Sequence, residues 1–513
     1  MSAAESASRL NPRDLLDRMF GIDVRALAVF RMGVAVILLY DLVSRAMDFE
    51  AHYTDFGVLP YADMLANHHD RWTWTIHALG GGMWWPAALF AVAGVLAAMM
   101  LVGWHTKIAT VGSWALLVSL HVRNPLILQG GDVLLRALLF WSMFLPLGAV
   151  WSLDAWRRRD KAERDIRILS VATAALLMQV AFVYISSGFL KTHAIWEVEG
   201  SAIFYALNLD AFATPIGLAL LPHRTLLKWM SFATLYLERF GPLVAFVPWL
   251  HTPLRLIVVA LFWGLHLGLI ATMRLGHFPY VCLIAWVPFL PTAFWNWVDL
   301  RLPRSIRGRY ISSSPYHECV YYVYGTVQVT IQCGLALLLS YVIVWNLRET
   351  WPRQCGLMKP PALLPVMLSL RLDQSWGMFA PYPLRDDGWF VMPGTLANGR
   401  EVDLWSPDKP LTDDKPDVAA FYPNERWRKY LFNLWLKQYS AGRPPFLKWL
   451  RRRWDREVAK SPDEKCVKAE LKYWLELSTL GDPEPLEEVK LAEIGGDGEQ
   501  STPAQENKLR TPD

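Results

Sequence analysis

Ile168-Leu-Ser-Val-Ala-Thr-Ala-Ala-Leu-Leu-Met-Gln-Val-Ala-Phe-Val-Tyr-Ile-Ser-Ser-Gly-Phe189 is apolar almost throughout. It is long enough to cross the hydrocarbon core of a bilayer, which takes about 20 helical residues. Similar blocks occur at Val24–Tyr40, Trp84–Val102, Ile108–Leu120, Val133–Trp151, Trp229–Leu250, Leu256–Met273, Tyr280–Trp297 and Tyr321–Trp345. Together they predict an all-α polytopic membrane helix bundle of about eight to ten transmembrane helices. Trp84, Trp85, Trp104, Trp151, Trp156, Trp295 and Trp297 crowd the segment ends, as anchors at a membrane–water interface do.

The 513 residues are 53% apolar and 19% charged and include 26 Trp, too apolar and too aromatic for an ordinary soluble enzyme. The net charge of +4 lies in short loops beside helices rather than on one continuous face, so no nucleic-acid partner is expected. Residues 1–24 form a charged arm without the apolar core and cleavage site of a removable signal peptide. Five scattered cysteines lack C-x-x-C spacing, which argues against a disulfide framework or a metal site and leaves a single Cys319–Cys355 bridge open. Arg13, Arg18 and Arg25 precede the first block, and Arg157, Arg158, Arg159, Lys161, Arg164 and Arg167 fill one loop. The positive-inside rule puts both in the cytoplasm.

The expected organisation is an arm (1–24), a membrane domain (25–300), a basic loop and last membrane helix (301–350), a small soluble α+β domain (351–483) and a disordered tail (484–513). Ala51–Gly82 is too polar to cross and reads as an interfacial loop or lid. Asn398-Gly399 between Trp389–Leu396 and Glu401–Trp405 signals a β-hairpin. Val467 to Leu477 alternates as a strand would, with a helix as the alternative, while Arg426–Tyr439 and Phe446–Lys460 read as basic amphipathic helices, solvated or lying on the membrane.

Charge at membrane depth survives where it is paired, faces a cavity or works, which draws attention to Arg31, Asp41, Asp132, Arg136, Lys191, Glu238 and His266. Lys191 ends an apolar helix. It is either a lysine reaching for the headgroups or a desolvated amine able to act as a base, and spacing does not choose. In Leu120–Arg136, Pro125 and Gly130-Gly131 break a helix at membrane depth, and Asp132 and Arg136 stand i,i+4 apart, either as a structural pair or as part of a site. His266 is either a bundle contact or a functional group. Tyr184 could hydrogen-bond a ligand. No G-x-G-x-x-G after a strand, P-loop, G-x-S-x-G or H-E-x-x-H is present.

The Tyr53–Pro60 loop, the Asn124–Asp132 break, Trp151-Ser-Leu-Asp154, Tyr184–Lys191 with Trp196, Leu265-His266-Leu, His277–Val281 and Gln374–Pro381 occur here in one order. In that order they resemble the vitamin K-dependent γ-glutamyl carboxylase family and its bacterial relatives, described as the horizontally transferred transmembrane domain. The resemblance runs from about Asp23 to Trp405 and implies a multi-pass protein of the bacterial inner membrane. It implies that Lys191 deprotonates a reduced vitamin K or menaquinol, with O2 and CO2 as co-substrates and no metal. The oxygenated quinol would remove a γ-proton from a glutamate of a secreted peptide or protein, the carbanion would capture CO2, and the quinone would leave as its epoxide. It further implies that His266 binds or orients the reacting groups; Asp132 is the third catalytic candidate, either taking over the work of a family histidine or only pairing with Arg136, and Asn124, Arg136, Tyr184, Trp196 and Glu238 are the candidates for binding the quinol or substrate.

This chain departs from the carboxylases at Leu190, where they have a second lysine, and at Gly131-Asp132, where they have a histidine. Its soluble part is much shorter than the propeptide-binding portion of the animal enzymes. The alternatives are a non-carboxylating membrane protein that binds lipid or peptide as a maturation or export factor, and a transporter, although no inverted repeat is visible.

Overall fold

The structure is a computed structural model that describes residues 11–157, 166–302, 326–351, 364–480 and 484–495. Its membrane part is built from α1 (Val24–Ala46), α2 (Trp84–Val102), α3 (Thr106–Arg123), α4 (Gly130–Ser142), α5 (Val171–Leu190), α6 (Arg224–Val244), α7 (His251–Thr272), the bent pair α8 (Phe278–Ala285) and α9 (Thr292–Asp299), and α10 (Thr326–Thr350). Five of these, α1, α2, α5, α7 and α10, are long and apolar enough to cross a membrane alone, and the bent pair is either a broken sixth span or a re-entrant loop. The expected count of about eight to ten also included α3, α4 and α6. Those three are not long and apolar enough: α4 has 13 residues, and α3 and α6 carry more polar side chains.

α5 is the centre of the bundle: 72% of its apolar window is buried, against 28% for α2 and α7, whose faces are left for lipid. Ser170 starts α5 through a capping box with Thr173. An antiparallel bridge of Ile22–Asp23 with Arg167–Ile168 fixes the starts of α1 and α5 at the same end. Arg18, Arg25, Arg157 and Arg167 lie there, which makes it the basic end of the bundle.

The C-terminal region packs on the opposite end. Strands β1 (Asp386–Val391), β2 (Pro393–Leu396), β3 (Glu401–Asp403), β4 (Cys466–Leu477) and β5 (Glu487–Ile494) form one antiparallel sheet. β4 pairs β1 and β2 along one edge and β5 along the other. Gly399, at φ +82°, makes the β2–β3 turn expected from Asn398-Gly399.

Three expectations change here. β5 occupies the start of the stretch read as a disordered tail, where Val489, Leu491 and Ile494 are buried. The basic helices α11 (Glu425–Trp435) and α12 (Arg443–Glu457) are core elements rather than solvated ones. Two of their arginines are held by backbone carbonyls: Arg428 Nη1 donates to Ala211 O, and Arg443 Nε to Leu434 O. The Ala51–Gly82 segment is held rather than free, since Tyr53, Val58, Leu59 and Met64 share a core with Leu126, Ile127, α11, α12 and the sheet. The Cys319–Cys355 bridge lies outside the described residues, whereas Cys282, Cys333 and Cys466 are free thiols.

Candidate functional site

Lys191 follows the last residue of α5 and folds back beneath it. Its side chain is 2% exposed, so it does not reach for the headgroups. Nζ donates to Glu238 Oε2 of α6 and to Ser187 Oγ, each at 2.5 Å, and lies 5.1 Å from the centroid of the Trp196 ring. Gly188 makes the meeting of α5 and α6 possible, because a Cβ there would come within 2.8 Å of Arg239 N. Arg239 then donates to the carbonyls of Gly188 and Lys191, which α5 leaves open at its C-terminus, and to Glu197. Trp196 is fixed in turn by its indole N–H on Phe379 O, 2.9 Å away.

Tyr184, Ser187 and Lys191 stand i, i+3 and i+7 on α5 and therefore share a face. The Tyr184 hydroxyl is 2.7 Å from His266 Nε2 of α7 and also hydrogen-bonds the Cys282 thiol of α8. Phe262 and Trp286 pack on the tyrosine ring at 4.3 and 5.6 Å, and Phe278 lies 5.9 Å from the histidine ring. His266 is 1% exposed and its Nδ1 has no hydrogen-bond partner among the described residues. The arrangement is a buried, apolar and aromatic cluster carrying an amine, a carboxylate, a phenol, a thiol and an imidazole.

The structure gathers Lys191, Glu238, Trp196, Tyr184 and His266 on and around one face of α5. Asp132, Asn124 and Arg136 do other work. The expected i,i+4 pairing of Asp132 with Arg136 does not form. Arg136 instead donates to Arg371 O, Asp373 O and Asp373 Oδ2, clamping the chain before the Gln374–Pro381 motif. Asn124 caps the short turn at Pro125–Ile127 through Leu126 N and donates to His52 O.

Asp132 belongs to a buried ring that alternates in charge. Arg45 bonds Asp41 at 2.7 Å and Asp132 at 2.5 Å, and Arg426 of α11 bonds Asp132 at 2.6 Å and Asp41 at 2.5 Å. Gln129 N also donates to Asp132 Oδ2. Asp41, Asp132 and His277 bring ligand atoms within 4.8 Å of one another, the spacing of a metal site. The two guanidinium groups supply the positive charge a metal would bring there.

Two features of this end escaped the sequence reading. Gln179, halfway along α5, pairs with Gln374 at 2.7 Å, and Gln374 also accepts from Trp376 Nε1 at 2.9 Å, so the Gln374–Pro381 motif is threaded into the bundle. A glutamine amid an apolar helix was the available signal. Arg426 gave none, since basic residues are common along that stretch.

A multi-pass helix bundle with an amine and a carboxylate paired inside it defines a class of membrane protein built around a desolvated acid–base pair. A family model for the HTTM domain matches residues 21–295, more than half of the chain, and the protein belongs to that family. No curated protein and no solved structure matches it.

Proposed function

We propose that Lys191–Glu238 and Tyr184–His266 form one acid–base site for an apolar, weakly acidic ligand, a lipid quinol in a γ-carboxylase-like or related quinol-driven modification. The observation that carries this reading is a lysine 2% exposed whose ammonium meets a carboxylate and an aromatic ring inside a membrane bundle. A lysine amine, unlike a guanidinium, has a neutral form with a free lone pair, and Glu238 Oε2 stands 2.5 Å from Nζ as its hydrogen-bond partner. Such an amine can take the proton of a phenolic hydroxyl. His266 Nδ1 offers the hydrogen bond that would orient it, and the rings of Phe262, Phe278 and Trp286 suit a flat apolar ligand and keep water out. Bound there, reduced vitamin K or menaquinol would supply the oxygen-reactive hydroquinone, with O2 and CO2 as co-substrates and a secreted peptide glutamate as acceptor. The positive-inside rule puts this end outside the cytoplasm of a bacterial inner membrane, where a secreted substrate is met.

The test incubates purified, detergent-solubilised protein with reduced menaquinone or vitamin K, O2, labelled bicarbonate and a glutamate peptide, beside Lys191→Ala. Epoxide from the unmutated chain alone supports quinol oxygenation, and label fixed in the peptide supports carboxylation. Neither product from folded, quinol-accessible protein overturns the enzyme reading. It would favour a lipid- or peptide-binding maturation factor, a reading to which Asp132 lends weight. At the position of a carboxylase histidine, its carboxylate is fully engaged by Arg45, Arg426 and Gln129.

A further inference from the structure

α4 has 13 residues, about 20 Å of helix, and stops at Ser142 well short of a full bilayer crossing. The missing length leaves an open groove of about 1360 Å³ at the basic end of the bundle, at the opposite end of α5 from Lys191. Its walls are apolar: Phe20 from the helix Pro12–Phe20, Val111 of α3, Phe144 and Leu147 after α4, Ala174 of α5 and Ile331 of α10. That volume exceeds the usual range of small-molecule pockets and suits acyl chains.

Among the described residues the charged lining is Lys107 and Arg157 together with one acid, Asp154, and His105 stands beside them. Asp154 is already engaged by the backbone N–H of His105 and Thr106 and by the Thr106 hydroxyl. Behind it lies Arg31, fully buried, which donates to Trp151 O but has no hydrogen-bond partner for Nε or Nη1 among the described residues. The charge around this end therefore calls for an anion at membrane depth, and basic pockets between membrane helices on the cytoplasmic side hold lipid headgroups.

We propose that this groove is a binding site for an anionic glycerophospholipid of the cytoplasmic leaflet, with its acyl chains along α3, α5 and α10 and its phosphate beside Lys107 and Arg157. The full chain in detergent is titrated with dioleoyl phosphatidylglycerol or dioleoyl phosphatidylcholine, and bound lipid is counted by native mass spectrometry. Phosphatidylglycerol should be retained about thirtyfold more tightly, the effect of two basic residues at a membrane surface. Lys107→Gln with Arg157→Gln should reduce it to the level of phosphatidylcholine, and Ala174→Trp should displace both lipids. Val111→Trp, from the facing wall, makes the same test if Ala174→Trp does not fold. Equal retention of the two lipids, retention of neither, or a preference that survives the double substitution overturns the proposal.

Discussion

Two buried ionic clusters lie toward the same end of this bundle, and they differ in what they leave unused. The Asp41–Arg45–Asp132–Arg426 ring is neutral and closed, with each carboxylate bonded to both guanidinium groups and its side chains 0–3% exposed. It ties α1, α4 and α11 together, and its cations do not lose protons at any ordinary pH. The Lys191–Glu238 pair has one cation and one acid, and its cation can become a neutral amine. Beside it lies an imidazole nitrogen with no partner among the described residues. Burial, charge and a neighbouring imidazole nitrogen without a hydrogen-bond partner among the described residues are common to both clusters, since His121 and His277 lie beside Asp132; what distinguishes the site from the cross-link is a cation that can give up its proton.

The contrast breaks most visibly at the ring. Arg426→Ala leaves two buried carboxylates sharing one guanidinium, and the expected cost is roughly 3–5 kcal/mol, read as loss of a monodisperse peak and a fall in Tm. Wild-type stability in that variant would mean that the ring is not the cross-link described here.

Asp387 sharpens the contrast as a buried acid without a guanidinium partner of its own. It accepts from Asp210 N, and burial pushes its carboxyl up from 3.8 to about 7. Because the folded value is the higher one, this group's stabilisation is full below the unfolded value and is lost as pH rises through about 7. Tm should fall between pH 5 and pH 8 by an amount equivalent to roughly 2–4 kcal/mol, and Asp387→Asn should flatten that slope. An unchanged slope would remove Asp387 from the explanation.

Glu238→Gln keeps the shape of the site but removes the proton acceptor. A loss of about 1–3 kcal/mol in stability is expected, with activity abolished, so thermal unfolding and turnover should separate. Tyr184→Phe is the mildest change, costing about 1 kcal/mol for the lost bond to His266; its mark should be a shifted pH–rate profile more than a shifted Tm.

What the sequence made legible was periodic or local. The apolar run of α5, the alternation of β4 and the Asn398-Gly399 turn each carry their signal within a few residues, and each element formed where expected. Tyr184, Lys191 and Trp196 could be grouped because they lie within one short stretch, whereas His266, inside a separate helix, joined them only through the family resemblance. The partner of Asp132 could not be read, since Arg426 lies 294 residues further on while Arg136 offers a charge one helical turn away. β5 was hidden by its composition. Glu488, Lys490 and Glu493 face away from the core and, with Glu487, make the stretch resemble a solvated tail, while the inward Val489, Leu491 and Ile494 gain meaning only beside β4.

The most direct test of a removable proton at Lys191 is menaquinol epoxidation by the unmutated protein and by Lys191→Arg, both shown to be monodisperse. Arginine preserves the charge and the pairing with Glu238 but cannot yield a neutral base. Epoxide from the unmutated protein alone is the predicted result. Equal epoxide from both chains, or none from either, would contradict the account.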